Sequence, residues 1–174
     1  MTETLQQYTA RLSGLVGERD PLAVMAESPG RLQGLVSGAS AEELRWTPEP
    51  GRWTIAQIAA HMADAEVVGA WRFRTVLAQD GVALQAYDQN AWASAFAYED
   101  VPAADSVRLF GALRHATLKL LRRVDPARLK HAGLHAERGR ESVERLTVMY
   151  AGHDLNHLAQ IERLLGEAKR SHHP

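Results

Sequence analysis

The sequence predicts an all-α protein: an up-down four-helix bundle with a broken first helix and a long connection between helices two and three. Three observations carry this expectation. Four segments of the 174-residue chain repeat apolar residues at helical spacing. No segment shows the strict alternation of a half-buried strand, and there is no internal repeat. Proline, glycine and aspartate punctuate the segments where helices should start and stop. The length suits one domain, expected over residues 1–168, followed by a polar tail over 169–174. With 45% hydrophobic and 24% charged residues, such a chain can bury a core without covalent staples.

The first layer comes in pieces. Leu5, Tyr8, Leu12, Leu15 and Val16 recur at helical spacing over Thr4 to Val16. Asp20-Pro21 breaks and restarts the chain, because proline suits a first helical turn. Ser28-Pro29-Gly30 is expected to break it again, before a short run carrying Leu32, Leu35 and Val36.

After the loop signal Pro48-Glu49-Pro50-Gly51, the second bundle helix has the clearest start in the chain. Thr54 is a good cap, Gln57 stands three residues on as a capping box requires, and Trp53 with Ile58 can form a hydrophobic staple. The helix is expected to reach Ala78, roughly 37 Å at 1.5 Å per residue. Its buried stripe would be Ile58, His61, Met62, Ala65, Val68, Gly69, Arg72, Phe73 and Val76.

Val82 to Tyr98 lacks a helical period but is rich in aromatics, as a packed loop or short helix would be. Val101-Pro102 opens a third long helix with Val107, Phe110, Leu113, Arg114, Thr117, Leu118 and Leu121 inward, and Asp125-Pro126 stops it. Ala127 to Glu141 reads as an irregular connection. Ser142 caps the fourth helix, which buries Leu146, Met149, Tyr150, His153, His157, Gln160, Ile161 and Leu164 and is expected to end at Gly166.

Composition narrows the function. A net charge of −1 and a pI near 6.7 give no strong attraction to nucleic acid or acidic membranes. With no cysteine, the chain has no disulfide, no thiolate nucleophile and no thiolate metal ligand. No apolar run approaches the roughly 20 residues of a membrane span, and Met1 to Leu5 does not resemble a secretory signal. A cytoplasmic protein is expected.

The chemistry lies in the histidines. His153 and His157 stand four apart on the apolar stripe of a confident helix, so both rings face the same point. Burying two imidazoles requires partners for up to four ring nitrogens, and a metal ion supplies one to each. His61 lies on the inward stripe of another helix, and bundle helices can aim such side chains at one point. Three histidines with an open position describe a catalytic rather than a closed structural site, and an all-nitrogen set suits zinc, nickel, iron or copper.

The other histidines are weaker. His131 and His135 are also four apart, but in a segment without helical period; a place at the rim of the site is the better reading. His115 reads as surface, and His172 and His173 as solvent-exposed tail. His153-Asp154-Leu155-Asn156-His157 also differs from the His-Glu-x-x-His of zinc proteases: Asp154 is one methylene shorter and about 100° round the helix from His153.

These residues carry a resemblance. Gly51-Arg52-Trp53-Thr54-Ile55 leading to His61-Met62-Ala63-Asp64-Ala65-Glu66, then Tyr87-Asp88-Gln89-Asn90-Ala91-Trp92, then His153 to Ile161, follow each other as in the DinB-like superfamily. Within it the chain resembles the YfiT-like branch of metal-dependent hydrolases and thiol S-transferases, from about Asp20 to Leu165. The resemblance implies a four-helix bundle holding a divalent ion, nickel or zinc, on His61, His153 and His157, and a homodimer. It also implies a small-molecule substrate and, in some members, a low-molecular-weight thiol co-substrate, bacillithiol or mycothiol. It does not imply DNA binding.

Around the expected site, Asp64 lies three residues after His61 and Gln160 three after His157, where either can hold a ligand imidazole from behind; Asp64 can also accept a proton. Tyr87, Asp88, Trp92 and Tyr150 are candidates for the pocket wall. Three functions fit: a thiol S-transferase, a hydrolase activating water on the same site, and a non-catalytic metal or small-ligand binding protein.

Overall fold

A computed structural model describes residues 3–172, with the side chain of residue 172 left aside. Seven α-helices occur among them: α1 (Leu5–Val16), α2 (Pro21–Ser37), α3 (Ala41–Arg45), α4 (Ile55–Ala78), α5 (Gln89–Ala95), α6 (Ala103–Arg123) and α7 (Val143–His172). Three short strands, β1 (Ala83–Leu84), β2 (Ala132–His135) and β3 (Gly139–Ser142), lie beside them.

The bundle consists of α2, α4, α6 and α7. Each of α2 and α4 packs against both α6 and α7, so α2 faces α4 across the diagonal, and α1 packs along α7. The two halves of the core fix the directions. One half gathers Val24, Met25, Phe73, Val76, Leu118, Leu121 and Leu146. The other gathers Leu32, Val36, Ile55, Ile58, Phe110, Leu158 and Ile161. Following each helix from one half to the other gives up, down, down, up.

The four-helix bundle is therefore present, but its helices do not alternate simply as the sequence reading expected. Because α4 and α6 are parallel, residues 79–102 must return the chain along the length of the bundle. That return contains β1, α5 and a 3₁₀ turn at Tyr98–Asp100.

Local signals explain most boundaries. Thr54 caps α4: its hydroxyl accepts from the Gln57 N–H at 3.3 Å, while its own N–H donates to Gln57 Oε1 at 2.9 Å. Asp20 and Asp88 cap α2 and α5, and the Ser142 hydroxyl accepts from the Arg145 N–H at 3.1 Å.

Three boundary expectations fail, each for a tertiary reason. α2 runs through Ser28-Pro29-Gly30 without a break. Pro29 has no N–H to give the Met25 carbonyl, but Nη1 of Arg114, from α6, donates to that oxygen at 3.1 Å. α7 continues past Gly166, so residues 169–172 are helix rather than tail. One glycine costs a helix only about 1 kcal/mol, and the packed Leu164, Leu165 and Ala168 around it offset that. The expected exposure of His172 and His173 falls on side chains outside the described residues.

Finally, the connection over 127–141 contains a hairpin. β2 and β3 pair antiparallel, with Gly139 at φ 72° in the turn, and β1 joins β2 in parallel. These strands are too short to show a period, and the parallel pair joins residues about fifty positions apart. No helix among the described residues is long and apolar enough to cross a membrane.

Candidate metal centre

Polar side chains cluster between the two halves of the core. His61 comes from α4, and His153 and His157 from successive turns of α7. One nitrogen from each lies within 4.8 Å of the others. His61 Nε2 and His153 Nε2 are 3.0 Å apart. The His153 and His157 ring centroids are 4.4 Å apart, and those of His61 and His157 4.8 Å. His61 is buried, and the other two are half-buried.

The fit to a metal ion follows from these distances and from charge state. Around a tetrahedral ion with Zn–N of roughly 2.0–2.1 Å, ligand nitrogens stand about 3.3–3.5 Å apart. The separations in the cluster, from 3.0 Å to within 4.8 Å, bracket that spacing. Burial pushes His61 down to about 3, with the nearby His157 adding to the effect. Burial also holds His153 well below the ordinary imidazole range, helped by His157, His61 and Arg114. His157 is lowered by burial against the opposing effects of Gln160 and Asp154. Near neutral pH all three rings are uncharged and offer lone pairs. His61 Nδ1 is buried without a hydrogen-bond partner, which leaves one ring of the cluster a contact short.

The neighbours divide into those that serve the cluster and those that do not. Gln160 Oε1 stands 2.9 Å from His157 Nδ1 and accepts its N–H, leaving Nε2 free as a ligand. Asp64 is engaged elsewhere: Tyr98 donates its hydroxyl proton to Asp64 Oδ2 at 2.6 Å. That bond and burial both raise the Tyr98 phenol, burial more. Trp53, read from sequence only as part of a staple, stands 5.1 Å from His61 centroid to centroid and walls one side of the ring.

Asp154, about 100° round α7 from His153, is buried in a bidentate pair with Arg114. Arg114 also donates to Glu66 Oε2 at 2.7 Å and to the Met25 carbonyl at 3.1 Å. One guanidinium thus ties α2, α4, α6 and α7 together just behind the histidines. Burial works against its charge, but Asp154 and Glu66 outweigh burial and raise it. From sequence alone Arg114 is an inward residue and Glu66 and Asp154 are members of motifs, with nothing to connect the three. Glu66, four residues after Met62, and Asp154, four after Tyr150, stand at inward spacing, which is the available signal.

The Tyr87 and Trp92 rings, 4.7 Å apart and tilted by 48°, line a cavity of about 390 Å³ beside α4. Asp88 does not line it; its carboxylate accepts the Asn90 and Ala91 N–H groups as the α5 cap. Tyr150 is buried one turn before His153, its ring against Gly69, where an added Cβ would lie 2.5 Å from the ring. His131 and His135 do not join the cluster. His131 Nδ1 donates to the Val76 carbonyl at 3.3 Å, and His135 sits buried in β2. His115 is exposed.

Fold and site define a class: a helical bundle with a mid-plane three-histidine cluster able to hold a metal ion. The chain belongs to the DinB superfamily, whose profile matches residues 25–161. Relatives include an Oceanobacillus iheyensis protein named "putative metal-dependent hydrolase", 29% identical over 136 residues, 78% of each chain. YfiT of Bacillus subtilis, named in the same way, is 24% identical over 165 residues, 92% of this chain and 93% of its own. The solved structure of YfiT, described as a probable metal-dependent hydrolase with an unusual four-helix bundle topology, matches 95% of this chain with a TM-score of 0.79 at 22% identity. At that identity it bears on the fold alone.

Proposed function

We propose that this chain is a metal-dependent enzyme in which His61, His153 and His157 hold one divalent ion, zinc or nickel. The observation that supports the reading most directly is the convergence of three neutral imidazole nitrogens within 4.8 Å of one another. Bound there, the ion would lower the pKa of a water or thiol at its open position. The chain's own residues do the rest. Gln160 holds His157 in one tautomer, Trp53 shields the His61 face, and the Arg114 network fixes the backbone behind His153. The Asp64–Tyr98 pair, whose aspartate stands three residues after His61 on α4, is the candidate for moving a proton.

Two chemistries share this site. Hydrolysis is the reading favoured by the relatives' names. Transfer of a bacillithiol- or mycothiol-type thiol to an electrophilic small molecule is favoured by the resemblance of the motifs. The absence of cysteine means that any sulfur nucleophile must come from such a co-substrate. A homodimer in the cytoplasm, acting on a small molecule, belongs to the same proposal.

Elemental analysis of untagged protein beside His157→Ala is the first test. One equivalent of metal in the wild type and a large loss in the variant are expected; a wild type that stays folded yet takes up no divalent ion would overturn the site. A panel of esters, amides and electrophiles, with and without either thiol, then separates the chemistries. Turnover by water alone marks a hydrolase, and turnover needing metal and thiol together marks a transferase. Metal uptake with no turnover across the panel would favour a binding protein.

A further inference from the structure

The cavity beside α4 is lined by a cation that no carboxylate pairs among the described residues. Arg72 lines it together with Val68, Trp71, Leu84, Tyr87 and Trp92. The arginine is 6% exposed, and it takes part in none of the ion pairs among the described residues. One Nη2 proton goes to the Gln85 carbonyl at 2.7 Å, while Nε is buried with no partner.

His135 sharpens the picture. Its Nδ1 accepts the N–H groups of Glu137 and Arg138 at 3.2 and 3.4 Å, so in the neutral ring the proton is on Nε2. That Nε2 lies 3.4 Å from Arg72 Nη2. Both are donors, so this contact satisfies neither. A buried guanidinium and a buried imidazole N–H therefore converge, and the acceptors beside them, the Gln85 carbonyl and the Tyr150 hydroxyl, are both neutral. Interiors rarely leave such groups unmatched, and a guanidinium fork matches a carboxylate.

We propose that this cavity binds a small organic acid, its carboxylate on Arg72 and His135 and its apolar or aromatic body between Trp71, Tyr87 and Trp92. The volume of about 390 Å³ suits such a ligand. Aromatic walls and a single full cation favour a monocarboxylate with an apolar body over a bare phosphate, which needs more donors.

The position relates the cavity to the histidines. Arg72 follows His61 by 11 residues on α4, three turns on and nearly on the same face, about 16 Å along the axis. An acid of modest length held at Arg72 would direct its far end toward the cluster. In this form the inference rests on the proposed function and names its substrate class.

Binding is tested apart from turnover. Benzoate, phenylacetate, 3-phenylpropionate and hexanoate, each beside its amide, and inorganic phosphate are titrated into the full-length chelated protein, with heat and tryptophan fluorescence as readouts. At least one acid is expected to bind saturably, ten-fold or more tighter than its amide. Arg72→Met should abolish that preference and Arg72→Lys keep part of it. Trp71→Ala, at a position 68% exposed, should weaken the acid.

Acid and amide binding alike, phosphate matching the best acid, or no acid binding at all would each overturn the inference. So would an Arg72→Met variant that melts like wild type and keeps the preference. Because no metal takes part, failure here leaves the metal-uptake test untouched, and failure of that test leaves this one standing.

Discussion

Replacing Arg114 with methionine should be among the most damaging single changes in the chain. The guanidinium is fully buried and is the only positive group facing Glu66 and Asp154 within the network. Methionine fills much of the same volume, so the loss is electrostatic rather than a cavity. Breaking a buried pair from one side costs about 3–5 kcal/mol, because an uncompensated charge stays behind. The Met25 carbonyl also loses its partner, a cost of about 1–3 kcal/mol that overlaps with the first rather than adding to it. A total of about 3–5 kcal/mol is a large share of the 5–15 kcal/mol typical of a domain. It corresponds to a melting temperature lower by on the order of 10 °C for a chain of this size.

The assay is urea unfolding of chelated protein, followed by circular dichroism and tryptophan fluorescence, with a double-mutant cycle against Pro29→Ala. Alanine at position 29 restores an N–H that can reach the Met25 carbonyl. It should therefore stabilise the Arg114→Met background more than the wild type, by about 1 kcal/mol. A cost below about 1 kcal/mol for Arg114→Met, or additive effects in the cycle, would refute the reasoning.

Other consequences can be checked with the same methods. Gly152→Ala would set a Cβ 2.3 Å from the backbone oxygen of Leu12, where α1 crosses α7; neither backbone can move freely, so a loss of at least about 1–3 kcal/mol is expected in urea. Thr54→Ala removes the cap of α4 and should cost about 1 kcal/mol, with Thr54→Gly costing less. His61 is neutral in the folded chain down to about pH 3 but titrates near 6.5 when unfolded, so the unfolded state binds more protons between those values. Its contribution is complete above about pH 6.5 and is lost as pH falls toward 3: about 2 kcal/mol between pH 7 and pH 5 for metal-free protein. His61→Asn should flatten that part of the pH–stability curve, and an unchanged slope would count against a buried neutral ring.

Much of this molecule is legible because it depends on near neighbours in sequence. The capping box of Thr54 and Gln57 closes within four residues, and the inward stripes of α4, α6 and α7 follow from 3.6 residues per turn. The facing of His153 and His157 follows from the same period, and His61 was found because it sits on an inward stripe of its own.

What the sequence reading missed depends on partners far along the chain. Pro29 reads as a break until Arg114, 85 positions later, supplies the donor its ring lacks. Asp64 reads as a support for His61 until Tyr98 claims its carboxylate. The short sheet appears only when residue 83 meets residue 134. Simple alternation of the four helices is the expectation until the core shows α4 and α6 running in parallel. Periods and caps are set by local backbone geometry, which residue order contains directly. The direction of α6, the Arg114 network and the unmatched donors at Arg72 are set by which surfaces meet once each helix has buried its apolar stripe, and only the folded chain decides that.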